Sequence, residues 1–496
     1  MENNEFLSEF LNDPKGVLIA PAGHGKTYSI AQMISLVEAE KPQLILTHTH
    51  AGVASLKKKF RKLNVPSDKY NLETISSFTQ RYVLSLCWES EILLQEDKKY
   101  FDRIYELAVS LFSKPAVKRI INQSYSHLYV DEYQDCTKEQ HKLIMLLAEE
   151  LPVHLLGDPL QGIFDFNTDV PMVDFETDLS TFHRYNFLQT PWRWKNVGKE
   201  SLGQHILAQR KSLLEKRQVS LRTDSEAGCF IHKATSLQRV DFFLKELGPF
   251  IRQLCDRSNN ILVIFPAYKD GKAFRGTIYD RCSAKLQMDV QNKFTLIEAI
   301  DDPLYYKAAK FLDELIEHLP KEEKPYKKLQ ESLEQLSFGK TEIKDWLTEK
   351  KVKSKRTPDK RALSEKLSCL AESLRQEPSV EAILIFLSMV KQDLKLRPKR
   401  ADVLSSILLC LNEAKENGVA ILDAMKNHKN RIRRMGRKIE GHCIGTTLLT
   451  KGLEFNIVVL IEADKMKSSK DFYVAISRAS KELHIFTLSD TLHFDK

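Results

Sequence analysis

Three carboxylates fall within five residues in the stretch V-D-E-Y-Q-D-C at positions 130–136, directly after a short apolar run. Asp131, Glu132 and Asp135 repel one another, and buried carboxylates are normally paired, protonated or bound to a metal. The stretch therefore indicates either a solvated loop or a cation site at the end of a buried strand. For Asp135, local hydrogen bonding within a loop stays open.

A second stretch with chemical meaning, V-L-I-A-P-A-G-H-G-K-T-Y-S, has the pattern of a strand, a small-residue loop and a helix. In that order, backbone N–H groups face an anion, Lys26 reaches outer phosphates, and the Thr27 hydroxyl can ligate Mg²⁺. A helix start that merely contains glycine is the structural alternative. The predicted nucleotide-binding loop consists of Ala20, Pro21, Ala22, Gly23, His24, Gly25, Lys26 and Thr27.

The two stretches complement each other, because Mg²⁺ prefers oxygen ligands and a strand-terminal aspartate is the expected second anchor. Thr27 and Asp131 are therefore the predicted metal ligands. Glu132 follows Asp131 and is placed to orient and deprotonate the attacking water as a general base. Mg²⁺ is the predicted metal.

The elements that position these residues alternate along the chain, with short aliphatic runs separated by longer helical patterns. Such alternation predicts a parallel sheet with helices on both faces and ligands at the carboxyl ends of the strands. A second set of strand-like runs occurs at 261–265, 457–461 and 483–487. The segment 304–424 has helical periodicity and several prolines, which indicates a helical insertion within a second α/β domain.

Composition excludes a disordered or fibrous protein, since 496 residues with 42 % hydrophobic content can bury several cores. No run approaches about 18 apolar residues, so we expect a soluble, cytoplasmic chain with no membrane partner. The eight cysteines form no C-x-x-C pair, so no zinc finger or disulfide framework is indicated. The net charge of +8, with an acid-free basic run at 426–438, suggests a polyanion, although a solvated helix face is the alternative.

Six motifs resemble, in order, those of UvrD/Rep-type superfamily 1 DNA helicases. They span about nine tenths of the chain, and the family's loop has the form A-x-A-G-x-G-K-T, so Ala20 fits it. The motifs are G-K-T (25–27), V-D-E-Y-Q-D (130–135), L-L-G-D-P-L-Q-G-I-F (155–164), L-Q-T-P-W-R-W (188–194), T-T-L-L-T-K-G-L-E-F-N-I-V-V (446–459) and Y-V-A-I-S-R-A (473–479).

The resemblance implies an α/β fold of two RecA-like P-loop domains, each a parallel sheet flanked by helices, with helical insertions and ATP in the cleft between the domains. The first domain is expected at 1–190, with a small helical insertion at about 80–125. The second is expected at 191–303 and 425–496, divided by a basic helical insertion at 304–424.

The resemblance also implies roles for single residues. Arg193 and Arg478 match two arginines that reach across the cleft to the γ-phosphate, where a guanidinium stabilises developing charge. Ordinary ion pairs are the structural alternative for both arginines. The implied catalytic set is Lys26, Glu132, Gln161 (a sensor of γ-phosphate and water), Arg193 and Arg478, and the nucleotide is further contacted by Trp192 (adenine stacking or a core residue), Gly452 (close backbone approach) and Glu454 (ribose).

Single-stranded DNA is the partner that the resemblance implies, on a track across the tops of both domains. RNA stays open, because the motifs do not distinguish the sugar. Phe166 matches a base-stacking aromatic, although a Phe in the core is the commoner case. The implied DNA-contacting residues are Thr47, Thr49, Ser76, Phe78, Phe166 and Thr446.

Several positions depart from the family pattern. No glutamine precedes Gln32, so the adenine-reading glutamine is missing and base selectivity is expected to be relaxed. His48 and His50 replace Phe and Asn, and a metal role is disfavoured because no acidic or Cys partner is nearby. Asn167 and Leu448 occupy positions where the family commonly has Arg and His. Each substitution is expected to remove one contact with the DNA strand.

The resemblance implies an ATP-dependent translocase or helicase, moving 3′ to 5′ on single-stranded DNA. An alternative is a regulatory UvrD-like ATPase subunit that senses DNA and controls a partner nuclease, as in the Gabija antiviral system; a repair partner also stays open. A binding module without hydrolysis is disfavoured, because the hydrolytic set is complete: Lys26, Asp131, Glu132, Gln161 and Arg478.

Overall fold

The structure is a computed structural model of the 496-residue chain. It describes residues 2–88, 100–164, 171–234, 246–266, 294–297, 303–398, 400–435, 439–466 and 468–494. The chain forms two compact units. One comprises Met1–Glu298 with Gly436–Lys496, and the other comprises Ala299–Met435.

The first unit begins with a parallel six-stranded sheet in the order β3-β2-β4-β5-β1-β6. In this order β4, β5 and β1 are neighbours, so the segments that follow their carboxyl ends meet at one edge of the sheet. The strands are β1 (Lys15–Ile19), β2 (Gln43–Thr47), β3 (Tyr70–Thr74), β4 (Leu128–Val130), β5 (Val153–Gly157) and β6 (His183–Tyr185).

Helices cover both faces of this sheet, which is why β2, β4 and β5 are buried throughout. One core contains Leu44, Phe78 and Phe112, and the opposite core contains Ile45 and Phe60. The helices are α1 (Glu2–Asn12), α2 (Lys26–Leu36), α3 (His50–Lys62), α4 (Ile75–Leu86), α5 (Tyr100–Phe112), α6 (Pro115–Ser124) and α7 (Lys138–Leu147).

The second sheet of this unit is also parallel and six-stranded, in the order β10-β11-β9-β12-β13-β8. A separate antiparallel pair joins β7 and β14. The strands are β7 (Gln218–Ser220), β8 (Cys229–Lys233), β9 (Ile261–Phe265), β10 (Thr295–Leu296), β11 (His442–Thr446), β12 (Phe455–Leu460), β13 (Ala479–Thr487) and β14 (Thr491–His493).

The two α/β regions, which we call the first region (2–185) and the second region (191–297 with 439–494), share buried contacts. Ala22 and Leu160 of the first region lie in one core with Trp194, Leu202 and Tyr473 of the second. The helices of the second region are α8 (Trp192–Lys195), α9 (Glu200–Lys216), α10 (Gly248–Arg257), α18 (Thr447–Thr450) and α19 (Ser469–Ile476).

The second unit is helical throughout its described part, apart from an isolated bridge between Leu347 and Val352. The unit extends to Met435, whereas the predicted insertion ends at 424. The reason is that the helix Ile421–Met435 packs on the helices Pro303–His318 and Ala401–Asn417 of the same unit. The Asp313 carboxylate accepts the first N–H groups of α17. The helices are α11 (Pro303–His318), α12 (Pro325–Gln335), α13 (Lys340–Trp346), α14 (Pro358–Gln376), α15 (Val380–Ser388), α16 (Ala401–Asn417) and α17 (Ile421–Met435), with a π-helical turn at Met389–Asp393.

The predicted α/β fold class is confirmed, with two parallel sheets flanked by helices and a helical segment between the parts of the second. Seven of the described strands have no counterpart among the predicted runs: β3, β6, β7, β8, β10, β11 and β14. Within the described residues, no helix combines the length and the apolar character needed to cross a membrane.

Candidate nucleotide site

The predicted phosphate loop connects β1 to α2 through two glycines with positive φ. The φ angles are 74° at Gly23 and 96° at Gly25, a conformation that favours glycine. Lys26 opens α2, is largely buried, and donates from Nζ to the carbonyls of Ala20 and Pro21 at 2.8 and 3.4 Å. The loop is therefore compact, with its lysine directed back over it.

The second region reaches the loop directly. The N–H of Ala22 donates to the Tyr473 hydroxyl at 2.9 Å. The N–H of Arg193 donates to the carbonyl of Gly23 at 3.0 Å. A Cβ at Gly23 would lie 2.8 Å from Arg193 Cβ, so this close approach also requires glycine.

The acidic cluster follows β4 at the same edge of the sheet. Asp131 is buried, and its Oδ1 accepts the N–H of Glu132 at 3.0 Å. Burial, reinforced by the charge of the neighbouring Glu132, raises the pKa of Asp131 to about 7 against the positive charges of Lys26 and Lys59. Protein cations thus compensate the Asp131 charge incompletely, which suits a carboxylate that ligates a divalent ion.

Glu132 is in a different electrostatic environment, although it is the next residue. Its backbone is left-handed, with φ 54°, and its Oε2 accepts from Gln134 Nε2 at 2.5 Å. Burial acts to raise the pKa of Glu132, but Lys26, Lys451 and Arg478 outweigh it and hold the pKa below its ordinary value. Glu132 is therefore ionised at neutral pH and able to accept a proton.

Thr27, the second residue of α2, and Asp131, directly after β4, carry the kinds of oxygen group that Mg²⁺ prefers. Among the described residues, no group of three His, Cys, Asp or Glu side chains could hold a metal ion. An ion bound by Thr27 and Asp131 would take its remaining ligands from phosphate and water, as Mg²⁺ commonly does.

Asp135 is paired across the two regions rather than solvated in a loop. It is buried, and Lys451, which follows α18 in the second region, donates to its Oδ1 at 2.5 Å. Lys451 also donates to the backbone carbonyl of Gln161 and lies 5.0 Å from the Phe164 ring centroid. The third carboxylate of the cluster thus has a cationic partner from the second sheet.

Gln161 lies in a 3-10 turn after β5, beside a second ion pair between the regions. Its Nε2 donates to Asp158 Oδ2 at 3.2 Å. The other oxygen of Asp158 accepts from Arg210 Nη2, on α9, at 2.8 Å. Arg210 holds the pKa of the fully buried Asp158 below its usual value in spite of burial. The predicted sensor glutamine is thereby fixed through a charged residue of the second region.

The two predicted arginines lie close together at this cleft, but their side-chain hydrogen bonds stay within the second region. Arg193 donates to Glu454 Oε2 at 3.0 Å and to the carbonyl of Ser477 at 2.5 Å. Arg478 is fully buried and donates to the carbonyls of Val474 and Leu453. Burial, reinforced by the charge of Arg193, lowers the pKa of Arg478 to about 9, while the charge of Glu132 opposes the shift.

The remaining nucleotide candidates surround Gly25 and Arg193. Trp192 is 40 % exposed rather than buried in the core, and a Cβ at Gly25 would lie 3.3 Å from its Cδ1. Glu454 is exposed and paired with Arg193. Gly452 has a φ of 79°, and no atom lies within 4 Å of the position of a Cβ.

The predicted DNA contacts divide into accessible and buried side chains. Thr49 is exposed and caps α3, and Ser76 is half-buried against the Tyr105 hydroxyl. Phe78 is fully buried among Tyr82 and Phe112, so its ring belongs to the core and only the backbone of its segment is left for a contact with DNA.

Two further threonines, Thr47 and Thr446, end β2 and β11 with largely buried side chains, which leaves mainly their backbone for a ligand. Phe166 and Asn167 lie outside the described residues.

Four residues that the sequence analysis did not select belong to the same site. Lys451 and Tyr473 lie inside quoted motifs, so their position was a usable signal. Arg210 lies in an ordinary helical pattern and Lys59 in a lysine-rich helical pattern. Nothing in either stretch distinguishes these residues from other surface cations. Their electrostatic interactions place both near the acids, since Lys59 acts on Asp131 and Arg210 on Asp158.

The match to a family model falls in the first region. Residues 3–167 match a family model described as an AAA domain. Three curated relatives match shorter segments. They are the Gabija protein GajB of Bacillus cereus (strain VD045), 32 % identical over 87 residues; an ATP-dependent helicase/nuclease subunit from Syntrophomonas wolfei, 30 % over 117; and the RecBCD enzyme subunit RecB of Buchnera aphidicola, 28 % over 111.

The matched segments are small parts of this chain and of each relative. They cover 16 %, 23 % and 21 % of this chain and 18 %, 8 % and 9 % of the respective relatives. Among solved structures, the arterivirus nonstructural protein 10 helicase aligns over 97 % of this chain and 61 % of its own, at 10 % identity and a TM-score of 0.35.

The phosphate loop, the strand-terminal acids and the two parallel sheets define a P-loop protein of helicase type. Within that class, the ordered motifs of the chain and its matches to these relatives support a similarity to UvrD-like superfamily 1 proteins.

Proposed function

We propose that the chain is an ATP-dependent motor that moves along single-stranded DNA, 3′ to 5′ as in the family it resembles. The observation that carries the proposal is the position of Glu132, at the end of a buried strand and under the charges of Lys26 from one region and Lys451 and Arg478 from the other. A base held ionised between two sheets suits hydrolysis that depends on how the sheets approach each other.

In this proposal ATP binds over the phosphate loop, with Trp192 against the base and Glu454 near the ribose. Thr27 and Asp131 would hold Mg²⁺, which would supply positive charge to the phosphate oxygens. Glu132 accepts a proton from the water that attacks the γ-phosphorus, and the bond to the ADP oxygen breaks. Gln161 orients that water.

The two arginines have a separate part in the proposal. Arg193 and Arg478 leave hydrogen bonds within their own region to meet the γ-phosphate as the cleft closes. We propose that 1–190 and 191–303 with 425–496 are the two motor domains, and that Thr49, Ser76, Phe166 and the strand ends at Thr47 and Thr446 face the DNA.

The test is the ATPase rate of the purified chain with and without a single-stranded DNA oligonucleotide. We expect hydrolysis that DNA stimulates and that Glu132→Gln removes while nucleotide binding is retained. An RNA oligonucleotide of the same sequence decides between the two sugars, and a 3′-tailed duplex tests strand separation. An inactive wild-type chain that binds no nucleotide would refute the proposal.

A second candidate is a regulatory ATPase subunit that controls a partner nuclease in antiviral defence or repair. It is favoured by the relatives, since one carries the name Gabija protein GajB and another is named as a helicase/nuclease subunit. DNA-dependent ATP hydrolysis without strand displacement, together with a nuclease that co-purifies from the native host, would favour this candidate over the motor.

A further inference from the structure

Gln161 is held from two sides by cations of the second region. Lys451 Nζ donates to its backbone carbonyl, while its side-chain amide donates to Asp158, which pairs with Arg210. We infer that Lys451 and Arg210 are positioning residues that set Gln161 for nucleotide hydrolysis as the two α/β regions come together. The inference rests on the proposed function and identifies the residues that couple closure to hydrolysis.

Both contacts are buried, as a positioning role requires. The side chains of Lys451 and Asp135 are 10 % and 5 % exposed, and those of Arg210 and Asp158 are 13 % and 0 % exposed. Charges at this depth are screened little by salt, and removing one partner leaves the other charge buried without compensation, which destabilises the fold. Each pair therefore favours one arrangement of the two regions over any in which they separate.

The turn that carries Gln161 has few restraints of its own. It is a single 3-10 turn, Pro159–Gln161, and within it the N–H of Gln161 donates to the carbonyl of Asp158 at 2.8 Å. Gln161 also bonds Asp158 through its side-chain amide and Lys451 through its backbone carbonyl. A shift of the second region would thus be transmitted to both ends of this residue.

Lys451 also lies close to Phe164, whose ring is near His48. The Phe164 ring lies 5.0 Å from Lys451 Nζ and 5.5 Å from the ring of His48. His48 lies between Thr47 and Thr49, which are both predicted to contact DNA. The same cation is therefore adjacent to the hydrolytic turn and to the strand-facing segment, as a coupling residue should be.

The kinetic test compares two variants with the wild-type chain. One is Lys451→Met, and the other is the double variant Arg210→Met, Asp158→Asn, which removes both charges of the ion pair together. We expect kcat for ATP to fall about 10- to 100-fold, since a misplaced reacting group costs that much, with little change in KM. Lys451→Arg should recover part of the rate. The Arg210→Met, Asp158→Asn pair should add little on the background of Gln161→Ala, because it acts through Gln161. Lys451→Met should add more than that pair, since the charge of Lys451 also acts on Glu132.

The matched control is Lys465→Met. Lys465 pairs with the buried Glu462 at 2.6 Å, within the second region and after β12. We expect wild-type kcat for this variant, with thermal melting recorded for all variants. Fully additive effects with Gln161→Ala, or an equal loss of kcat in Lys465→Met, would overturn the inference.

A structural test does not depend on activity. Crystal structures of Lys451→Met and of the Arg210→Met, Asp158→Asn pair, without nucleotide, should show Gln161 displaced by about 1 Å or more, a shift large enough to matter for catalysis. An undisplaced Gln161 in both would overturn the inference. A wild-type chain without ATPase activity would refute the proposed function but leave this structural result decisive.

Discussion

The ends of β4 and β12 use the same backbone device in the two sheets. Glu132 follows β4 with φ 54° and ψ 44°, and Glu462 follows β12 with φ 53° and ψ 44°. Each opens one turn of 3-10 helix, Tyr133–Asp135 in the first region and Ala463–Lys465 in the second. A left-handed glutamate after a buried strand is thus not by itself the sign of a catalytic base.

The difference lies in the charges around each carboxylate. Glu132 is acted on by Lys26 of the phosphate loop and by Lys451 and Arg478 of the other region. Glu462 is 1 % exposed and pairs with Lys465 of its own turn. A carboxylate paired by its neighbour serves the local turn, whereas one held by cations from three separate segments is positioned for chemistry.

The largest expected effect comes from the cations. Lys26→Ala should abolish ATP turnover, because it removes the charge over the phosphate loop. Lys465→Ala removes the corresponding cation at the end of β12 and should leave turnover close to wild type. ATP hydrolysis at saturating nucleotide measures both, and a normal rate in Lys26→Ala would remove the loop from the site.

The glutamates themselves give the next largest effect. Glu132→Gln should slow hydrolysis by about 10²- to 10⁴-fold, the usual contribution of a general base, while nucleotide binding is retained. Glu462→Gln should hydrolyse ATP normally. Rates are measured by phosphate release and binding by titration with a fluorescent nucleotide. Equal losses in both variants would mean that the shared backbone, and not the charge environment, matters.

Acid stability should be alike in the two sheets, which sharpens the contrast in chemistry. Burial lowers the pKa of His154, on β5, to about 4, and burial with the neighbouring His232 lowers that of His484, on β13, to about 4. The unfolded chain therefore binds more protons between about pH 4 and 6.5, so stability falls as the pH falls through this range.

We expect each histidine to cost the wild-type protein about 2 kcal/mol of unfolding free energy between pH 7.5 and pH 5. His154→Leu and His484→Leu should each flatten this dependence in urea unfolding at the two pH values. A wild-type slope in both buried variants would contradict the expectation.

The smallest expected effect separates two glycines with similar backbone. Gly25 and Gly441 have φ angles of 96° and 88°, and a Cβ would approach Trp192 only at Gly25. Each change to Ala should cost about 1–2 kcal/mol of unfolding free energy, since L-residues disfavour this conformation. Only Gly25→Ala should also weaken nucleotide binding, by roughly tenfold if about 1.4 kcal/mol of binding energy is lost. Equal affinities in the two variants would exclude Trp192 from the nucleotide site.

Local sequence determined the strand, loop and helix around Lys26, the strand end at Asp131, and the fold class. These features were predictable because they depend on neighbours along the chain: a short apolar run, glycines that adopt positive φ, and a helix that opens at a lysine. The two-residue strand β10 and the other missed strands carry too few residues for such a pattern, and their pairing depends on the strands beside them.

Tertiary structure alone decided which charges meet. Lys451 and Asp135 are 316 residues apart, and Arg210 and Asp158 are 52 apart, so no spacing rule relates them. Phe78 follows a motif pattern yet is fully buried, and the side chains of Arg193 and Arg478 form hydrogen bonds within their own region instead of crossing the cleft. The residue types followed from the sequence, but the packing of one sheet against the other chose their partners, because ion pairs of this kind form only between segments that the fold brings together.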